Sequence, residues 1–195
     1  MHRTMFDTPI LKTLLRWASI LILKLLGWKT EGEIPKDLKK CVMIAAPHTS
    51  NWDLPFTLMT AFALNAKVYW MGKDQIFKSP YRGIMMWMGG IPVNRSQSTN
   101  MVQASIDKIK DNDQLFLIVP PEGTRSKVTY WKTGFYHIAQ GAGVPILMGF
   151  LDFQRKTSGI AGTYMTTGDI EVDMNYIKSI YAPMSGKKSD QFNQG

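Results

Sequence analysis

The order of hydrophobic and polar residues along the chain predicts strands that alternate with helices. Two continuous apolar runs, residues 41–46 and 115–119, are typical of strands buried on both faces of a sheet. The same reasoning predicts strands at 67–71, 91–93 and 145–153, and helices at 52–65, 80–88, 98–110, 131–140 and 173–181. The polar end after Pro183 is expected to be frayed. This alternation favours an α/β fold with a largely parallel sheet flanked by helices.

The first thirty residues differ from the rest because apolar and basic residues share one predicted helix. Residues 9–28 are rich in Leu, Ile and Trp, but Lys12, Arg16 and Lys24 interrupt them, and the longest uncharged stretch is 7 residues. A membrane-spanning helix needs about 20 largely apolar residues. On a helical projection the basic residues fall in one arc and most leucines fall opposite, with Leu23 among the exceptions on the polar side.

This pattern is typical of an amphipathic helix that lies in a membrane interface. A helix that packs on the core of its own domain has a similar pattern, so both interpretations stay open. No small-residue cleavage site follows the apolar part, which argues against a signal peptide. We therefore expect residues 1–30 to form an amphipathic membrane-associating helix and residues 31–195 to form a single domain.

The composition is that of a folded domain with a basic surface. The chain has 195 residues, a formal net charge of +8 and a pI of about 9.5. A positive surface suits nucleic acids, anionic lipid headgroups or a polyanionic substrate. The sequence lacks an RNP-like, zinc-binding or helix-turn-helix signature, so we expect no nucleic-acid partner. The single cysteine, Cys41, lies inside an apolar run and is expected to be a small buried residue rather than a nucleophile.

A first group of candidate catalytic residues follows the strand predicted at 41–46. His48 and Asp53 lie at the carboxyl end of that strand, where open α/β sheets bind their ligands. With His48 in the loop and Asp53 in the first turn of the next helix, the carboxylate can orient the imidazole and leave its other nitrogen free as a base. Such a histidine is the usual general base for a hydroxyl nucleophile. The spacing also fits a structural loop histidine with Asp53 as a helix cap.

A second group of polar residues follows the second apolar run. Gly123 can present backbone amides, Thr124 carries a hydroxyl group, and Arg125 carries a guanidinium group that suits a phosphate. Glu122 could hold Arg125 or meet another group, and the whole segment could equally be a surface turn. Arg95 follows another predicted strand. An isolated arginine is more often a solvated surface charge, but a second arginine at this edge of the sheet would build an anion pocket.

Taken together, these segments resemble the glycerophospholipid acyltransferase family, whose best-known members are the 1-acyl-sn-glycerol-3-phosphate acyltransferases. The resemblance rests on four segments in a fixed order. They are His48-x4-Asp53, Arg95 after Gly-Ile-x-Val, Pro-Glu-Gly-Thr-Arg-Ser at 121–126, and Val-Pro-Ile at 144–146. Each segment alone is short, but four of them in order over about a hundred residues are specific. Residues 31–195 would then be the acyltransferase domain.

The resemblance implies roles for the candidate residues. His48 would be the general base, and Asp53 would orient it. The remaining candidates would bind the phosphate of the lipid that accepts the acyl group. They are Arg95, Glu122, Gly123, Thr124 and Arg125. The chain departs from the family pattern at Pro47, Pro120 and Met148, where members often have Asn, an aromatic residue and Pro, respectively. These departures leave the precise acceptor open.

The resemblance also implies a reaction and its partners. The expected activity is transfer of a fatty acyl group from acyl-CoA or acyl-carrier protein to a lysophospholipid hydroxyl, most simply that of 1-acyl-sn-glycerol-3-phosphate, in phospholipid synthesis. A thioester donor is already activated, so we expect neither a metal nor another cofactor. The expected location is the cytoplasmic face of a membrane, as a peripheral or monotopic protein. The alternatives are another acceptor, such as a lyso-aminolipid, or a non-catalytic membrane lipid-binding protein. An esterase is disfavoured because the sequence has no GxSxG segment.

Overall fold

The computed structural model describes residues 1–93 and 98–192, so the candidate Arg95 lies outside the described residues. Within these residues one sheet contains β1 (Lys29–Glu31), β2 (Lys40–Ala46), β3 (Val68–Lys73), β4 (Gly90–Val93), β5 (Leu115–Ile118), β6 (Ile146–Asp152) and β7 (Thr157–Tyr164). The α-helices are α1 (Pro9–Leu25), α2 (Asp53–Ala63), α3 (Arg82–Trp87), α4 (Ser98–Lys110), α5 (Gly134–Ala142) and α6 (Ile170–Tyr181). The α/β class and most predicted elements are therefore confirmed.

The sheet is mostly parallel, as the alternation of elements predicts. Its strand order is β1-β7-β6-β2-β5-β3-β4. Strands β6, β2, β5, β3 and β4 run parallel to one another, whereas β7 is antiparallel to β6, and β1 pairs in parallel with β7. The carboxyl ends of the parallel strands lie at one edge of the sheet. The loops that follow β2, β5 and β3 therefore meet at that edge.

The sequence pattern did not predict β1 and β7. Strand β1 has only three residues, all exposed, and β7 is interrupted by Gly159 and Gly162, so neither forms an apolar run. A side chain at Gly159 would overlap the carbonyl group of Glu31, and one at Gly32 would overlap the carbonyl group of Ile160. The two strands thus depend on close approach of their backbones, which a hydrophobic pattern does not report.

Helices cover both faces of the sheet. Helices α1, α2 and α3 lie on one face and share an apolar cluster that includes Phe62 and Phe77. Helices α4, α5 and α6 lie on the other face, around Ile109 and Phe135. Cys41 is fully buried in the first cluster, and burial raises the pKa of its thiol well above the usual range. The expectation of a small buried cysteine is confirmed.

Helix α1 leaves most of its leucine-rich side exposed. It packs along α2 through a narrow strip that includes Ser19 and Leu23, of which Leu23 is only 2% exposed. By contrast, Leu14, Leu21 and Leu25 are 62%, 56% and 77% exposed. Two leucines of the predicted apolar side, Leu11 and Leu15, also pack on the core. The helix therefore does pack on its own domain, as one of the two interpretations expects, but most of its apolar side stays exposed. Within residues 1–93 and 98–192, no helix combines the length and apolar character needed to cross a membrane.

The C-terminal segment is packed against the domain as far as residue 192. Helix α6 begins at Ile170, earlier than predicted, because the carboxylate of Asp169 accepts hydrogen bonds from two backbone N–H groups of its first turn. Beyond the helix, Met184 and Gly186 are buried. The expectation of a frayed end after Pro183 is therefore wrong for the described residues.

Candidate active site

The loop between β2 and α2 brings the predicted pair His48 and Asp53 together. Nδ1 of His48 lies 3.1 Å from Oδ2 of Asp53. Asp53 is the first residue of α2, and His48 lies just beyond the carboxyl end of β2, as the sequence predicted. The side chain of His48 is 26% exposed, and that of Asp53 is buried. Because the carboxylate holds Nδ1, Nε2 is the ring nitrogen that a substrate hydroxyl can approach.

Asp53 also shapes the backbone of this loop. Its Oδ2 accepts hydrogen bonds from the amides of Thr49, at 2.7 Å, and Ser50, at 2.8 Å. Oγ of Ser50 in turn accepts a hydrogen bond of 3.1 Å from the amide of Trp52. A carboxylate at this place is further stabilised by the positive end of the α2 dipole. Asp53 thus both contacts the imidazole and orders the loop before α2. The alternative of a helix cap is wrong, because the side chain bonds to amides of the loop and, among the described residues, to none of the helix.

Glu122 lies beside His48 rather than beside Arg125. Its Oε1 accepts a 2.9 Å hydrogen bond from the backbone amide of His48. The residue is buried, and burial raises the pKa of its carboxyl group although the hydrogen bond from His48 acts in the opposite direction. Within the described parts of the chain, Oε2 of Glu122 and Oδ1 of Asp53 have no hydrogen-bond partner. This geometry makes Glu122 a residue that holds the His48 loop, a different role from the phosphate contact that the resemblance implies.

Two cationic side chains, Arg125 and Lys132, lie near Gly123 at the same edge of the sheet. Gly123 has a φ of +65°, and a Cβ atom there would lie 3.0–3.1 Å from the side chain of Lys132. Lys132 is anchored by its own amide, which donates a 2.8 Å hydrogen bond to the carbonyl group of Pro121. Nη1 of Arg125 donates a hydrogen bond to Oδ1 of Asn51, in the His48 loop. Lys132 is nine positions further along the chain, and only the fold brings its side chain next to Gly123.

Residues 185–188, here called the C-terminal strap, cover the other side of the His48 loop. The amide of Lys188 donates a 3.2 Å hydrogen bond to Oγ1 of Thr49. Gly186 packs so closely that an added Cβ atom would lie 2.6 Å from Oγ1 of Thr49 and 3.2 Å from Cβ of Pro47. Sequence reasoning missed this contact, because a glycine in a polar tail carries no signal of what it packs against.

A cavity of about 220 Å³ opens beside these residues. Its polar wall is formed by His48, Asp53, Gly123, Thr124 and Arg125. Its apolar wall includes Ala45, Leu54, Trp70, Ile76, Ile118 and Leu151. A smaller apolar pocket of about 30 Å³ under α2 shares Ala45, Thr57 and Leu151 with the cavity. Of the residues that the structure describes, no three or more His, Cys, Asp or Glu side chains are grouped so that they could hold a metal ion.

The cavity therefore brings together every predicted site residue that the structure describes, except that Glu122 lies behind the loop instead of in the wall. Its polar part contains a histidine and carboxylate pair beside an arginine, and its apolar part extends towards α2. Such a combination suits a substrate with a charged head and a hydrocarbon chain.

Comparisons with known proteins agree with this arrangement. The model of the family described as Acyltransferase matches residues 29–148, which include His48, Asp53 and the segment after β5. The 1-acyl-sn-glycerol-3-phosphate acyltransferase of Haemophilus influenzae is 30% identical over 141 residues, which cover 68% of this chain and 57% of that protein. The protein of the same name from Salmonella typhimurium is 28% identical over 132 residues, with 63% and 52% covered.

A solved structure has the same fold. The 1-acyl-sn-glycerophosphate acyltransferase of Thermotoga maritima superimposes with a TM-score of 0.62 at 20% identity, over 87% of this chain and 76% of that chain. The present chain spans about half the length of the curated relatives it matches. Because the family model covers well over half of its residues, this chain belongs to the Acyltransferase family.

Proposed function

We propose that this protein is an O-acyltransferase that esterifies the free hydroxyl of 1-acyl-sn-glycerol-3-phosphate in phospholipid synthesis, with acyl-CoA or acyl-carrier protein as the donor. The observation that carries the proposal is the 3.1 Å contact between Nδ1 of His48 and Asp53, in the wall of a cavity that Arg125 also lines. Both curated relatives described above bear the name of this activity.

The geometry supports direct transfer with His48 as the general base. Nε2 of His48 accepts the hydroxyl proton of the acceptor as the hydroxyl oxygen attacks the thioester carbonyl carbon. The carbon–sulfur bond then breaks, and the departing thiolate takes the proton from the imidazolium group. Asp53 keeps the imidazole in the productive tautomer and stabilises its charged form. The thioester is already activated, so the mechanism uses no covalent enzyme intermediate, metal or further cofactor.

The charges around the cavity favour an acceptor with a phosphate group. Arg125 lines the cavity, and the side chain of Lys132 lies against Gly123, which also lines the cavity. A guanidinium group can form two parallel hydrogen bonds to a phosphate, and the lysine adds a second positive charge. Arg95 stays a predicted third contact. The apolar walls that continue towards the smaller pocket under α2 would accommodate an acyl chain.

The exposed side of α1 supports peripheral attachment to a membrane, on the cytoplasmic face where these donors are used. Leu14, Leu21 and Leu25 project from the domain, and Trp17 is exposed beside them. Apolar side chains that are exposed to water lower the free energy of the system when they enter the boundary between headgroups and acyl chains.

The decisive experiment tests two donors in separate reactions, acyl-CoA and acylated acyl-carrier protein, each with a labelled acyl group. Each donor is combined with a panel of lysolipids. We expect labelled phosphatidic acid from 1-acyl-sn-glycerol-3-phosphate, and at least about a hundredfold less from a folded His48→Ala variant. Product from a lyso-aminolipid alone would replace the proposed acceptor. Lipid binding without any product would replace the enzyme by a lipid-binding protein.

A further inference from the structure

The connection between β3 and β4 has an exposed apolar surface of its own. Ile76, Tyr81, Ile84 and Trp87 are all exposed, and we call these four side chains the α3 surface. Helix α3 itself has no buried residue. Soluble proteins rarely leave several large apolar side chains together in water unless they contact something.

The charges in this connection indicate which kind of partner fits. Lys73, Lys78 and Arg82 are exposed in the same segment, against a single acidic residue, Asp74. Aromatic and aliphatic side chains with nearby lysine and arginine are typical of protein surfaces that lie in the headgroup region of an anionic bilayer. The stems of the basic residues can follow the apolar surface while their charges remain at the headgroups.

The α3 surface lies on the same side of the sheet as α1. Met85 and Met86 of α3 join the apolar cluster to which Leu11 and Leu15 of α1 also belong. Nε2 of His2, just before α1, lies 2.7 Å from the carbonyl oxygen of Met86. One layer of the protein therefore has both exposed apolar surfaces, and a single flat partner could contact both.

The α3 surface also borders the cavity that contains His48. Lys73 and Ile76, at the start of the connection, line that cavity. Ile76 thus belongs both to the cavity wall and to the exposed apolar surface. A substrate that leaves a bilayer at this place would reach His48 along apolar side chains.

We propose that the α3 surface is a second membrane contact, which lies on an anionic leaflet at the mouth of the cavity and receives the lipid acceptor from it. The part played by the acceptor rests on the proposed function, whereas the membrane contact does not. Helix α1 attaches the protein, and the α3 surface orients the cavity towards the leaflet.

The contact is tested with a polarity-sensitive fluorophore on a single introduced cysteine. The native Cys41 is buried with a raised thiol pKa, so it does not compete for the label in the folded protein. Ile84→Cys probes the α3 surface, and Leu21→Cys probes α1. The control is Val172→Cys, at an exposed position of α6 on the other face of the sheet. Vesicles of phosphatidylcholine with phosphatidylglycerol should shift the first two probes to shorter emission wavelengths and leave the third unchanged.

An Ile84→Cys probe that keeps its aqueous emission while the Leu21→Cys probe shifts would overturn the proposal. A shift of the Ile84→Cys probe that depends on protein concentration and occurs without vesicles would also overturn it, because a second copy of the chain would then cover the surface. This measurement does not depend on turnover. It therefore decides the contact even if the proposed acyl transfer fails.

Measurements of acyl transfer test whether the membrane contact delivers the lipid acceptor. Ile84→Ser/Trp87→Ser should lower transfer to vesicle-embedded lysophosphatidate about tenfold or more, because two apolar anchors are lost. Transfer to a short-chain acceptor dispersed as monomers should stay at the wild-type rate. The control variant Met165→Ser/Val172→Ser removes two exposed apolar side chains outside the α3 surface and should change neither rate. Equal losses on both acceptors, or no loss on vesicles, would refute the role in substrate delivery while leaving the proposed reaction intact.

Discussion

The backbone amide of His48 donates a 2.9 Å hydrogen bond to Oε1 of Glu122, a residue that follows it by 74 positions in the chain. The bond joins the loop after β2 to the segment after β5, two neighbouring strands of the sheet. It acts on the backbone of His48, while Asp53 acts on its ring. The candidate base is therefore held from two sides by two buried carboxylates.

We predict that Glu122→Ala lowers kcat by about ten- to a hundredfold, since small displacements of a catalytic group have effects of this size. Glu122→Gln should keep most of the activity, because an amide oxygen still accepts the hydrogen bond from His48. Burial raises the pKa of the Glu122 carboxyl, so the site disfavours the charged form, and the loss of the charge in the Gln variant should cost little. Steady-state kinetics and thermal unfolding of both variants provide the check. Equal kcat values for the Ala and Gln variants would mean that the hydrogen bond does not position the base.

His48→Ala should lower acyl transfer by about 10²–10⁴-fold, the usual loss when a general base is removed. The fold should persist, because the imidazole is partly exposed and belongs to a loop. Asp53→Asn should be less severe, because it misorients the base without removing it. Initial rates are compared with circular dichroism spectra of each protein. A folded His48→Ala protein with nearly normal turnover would eliminate the proposed mechanism.

Arg125→Lys should weaken use of the acceptor more than use of the donor. Lysine keeps the positive charge but lacks the planar fork that can bind two phosphate oxygens. The measurement is the acceptor KM and kcat at saturating donor. Lys132→Met should act in the same direction, because its side chain lies next to Gly123 in the cavity wall. Lys127→Met also removes a charge from an exposed side chain and is the matched control. Unchanged acceptor constants for Arg125→Lys and Lys132→Met would assign these side chains to something else, such as the phosphates of the donor.

Replacement of Leu14, Leu21 and Leu25 by Ser should release the protein from anionic vesicles without unfolding it, because these side chains are exposed. High salt should release the wild type in part, since it screens attraction to the headgroups. Sedimentation with vesicles measures both effects. Leu23→Ser is the contrasting variant, because that side chain is buried and its replacement should lower the melting temperature instead. A triple variant that stays folded and binds vesicles as tightly as the wild type would refute attachment through α1.

Gly186→Ala should lower kcat, because the new methyl group would press on Thr49, next to His48. Gly134→Ala is the control, since no atom lies within 4 Å of a Cβ at that position. A Thr49→Ala background removes the two closest contacts of the added methyl and leaves the one with Cβ of Pro47, so Gly186→Ala should cause a smaller further loss there. The double-mutant cycle on kcat reveals this non-additivity. Additive losses would mean that the strap does not act on the loop through Thr49.

The chain by itself determined the elements and the local chemistry of this protein. The apolar runs and helical periodicity predicted the α/β class, and helix α4 has the predicted bounds, 98–110. The spacing of His48 and Asp53 across a strand end and a helix start also allowed their pairing, which the structure shows, although it equally fitted a loop histidine with a helix cap. These features depend on interactions between near neighbours, which a local pattern contains.

Tertiary structure alone decided the contacts between distant segments. Three such contacts are those of Glu122 with His48, Gly186 with Thr49, and Lys132 with Gly123. No periodic pattern in the sequence predicts any of them. The orientation of α1 was decided in the same way. A helical projection shows which side is apolar, whereas the helix packs through a strip that contains Leu15 from that side and Leu23 from the opposite one. Packing depends on shape across the whole fold, and a one-dimensional pattern carries no information about shape.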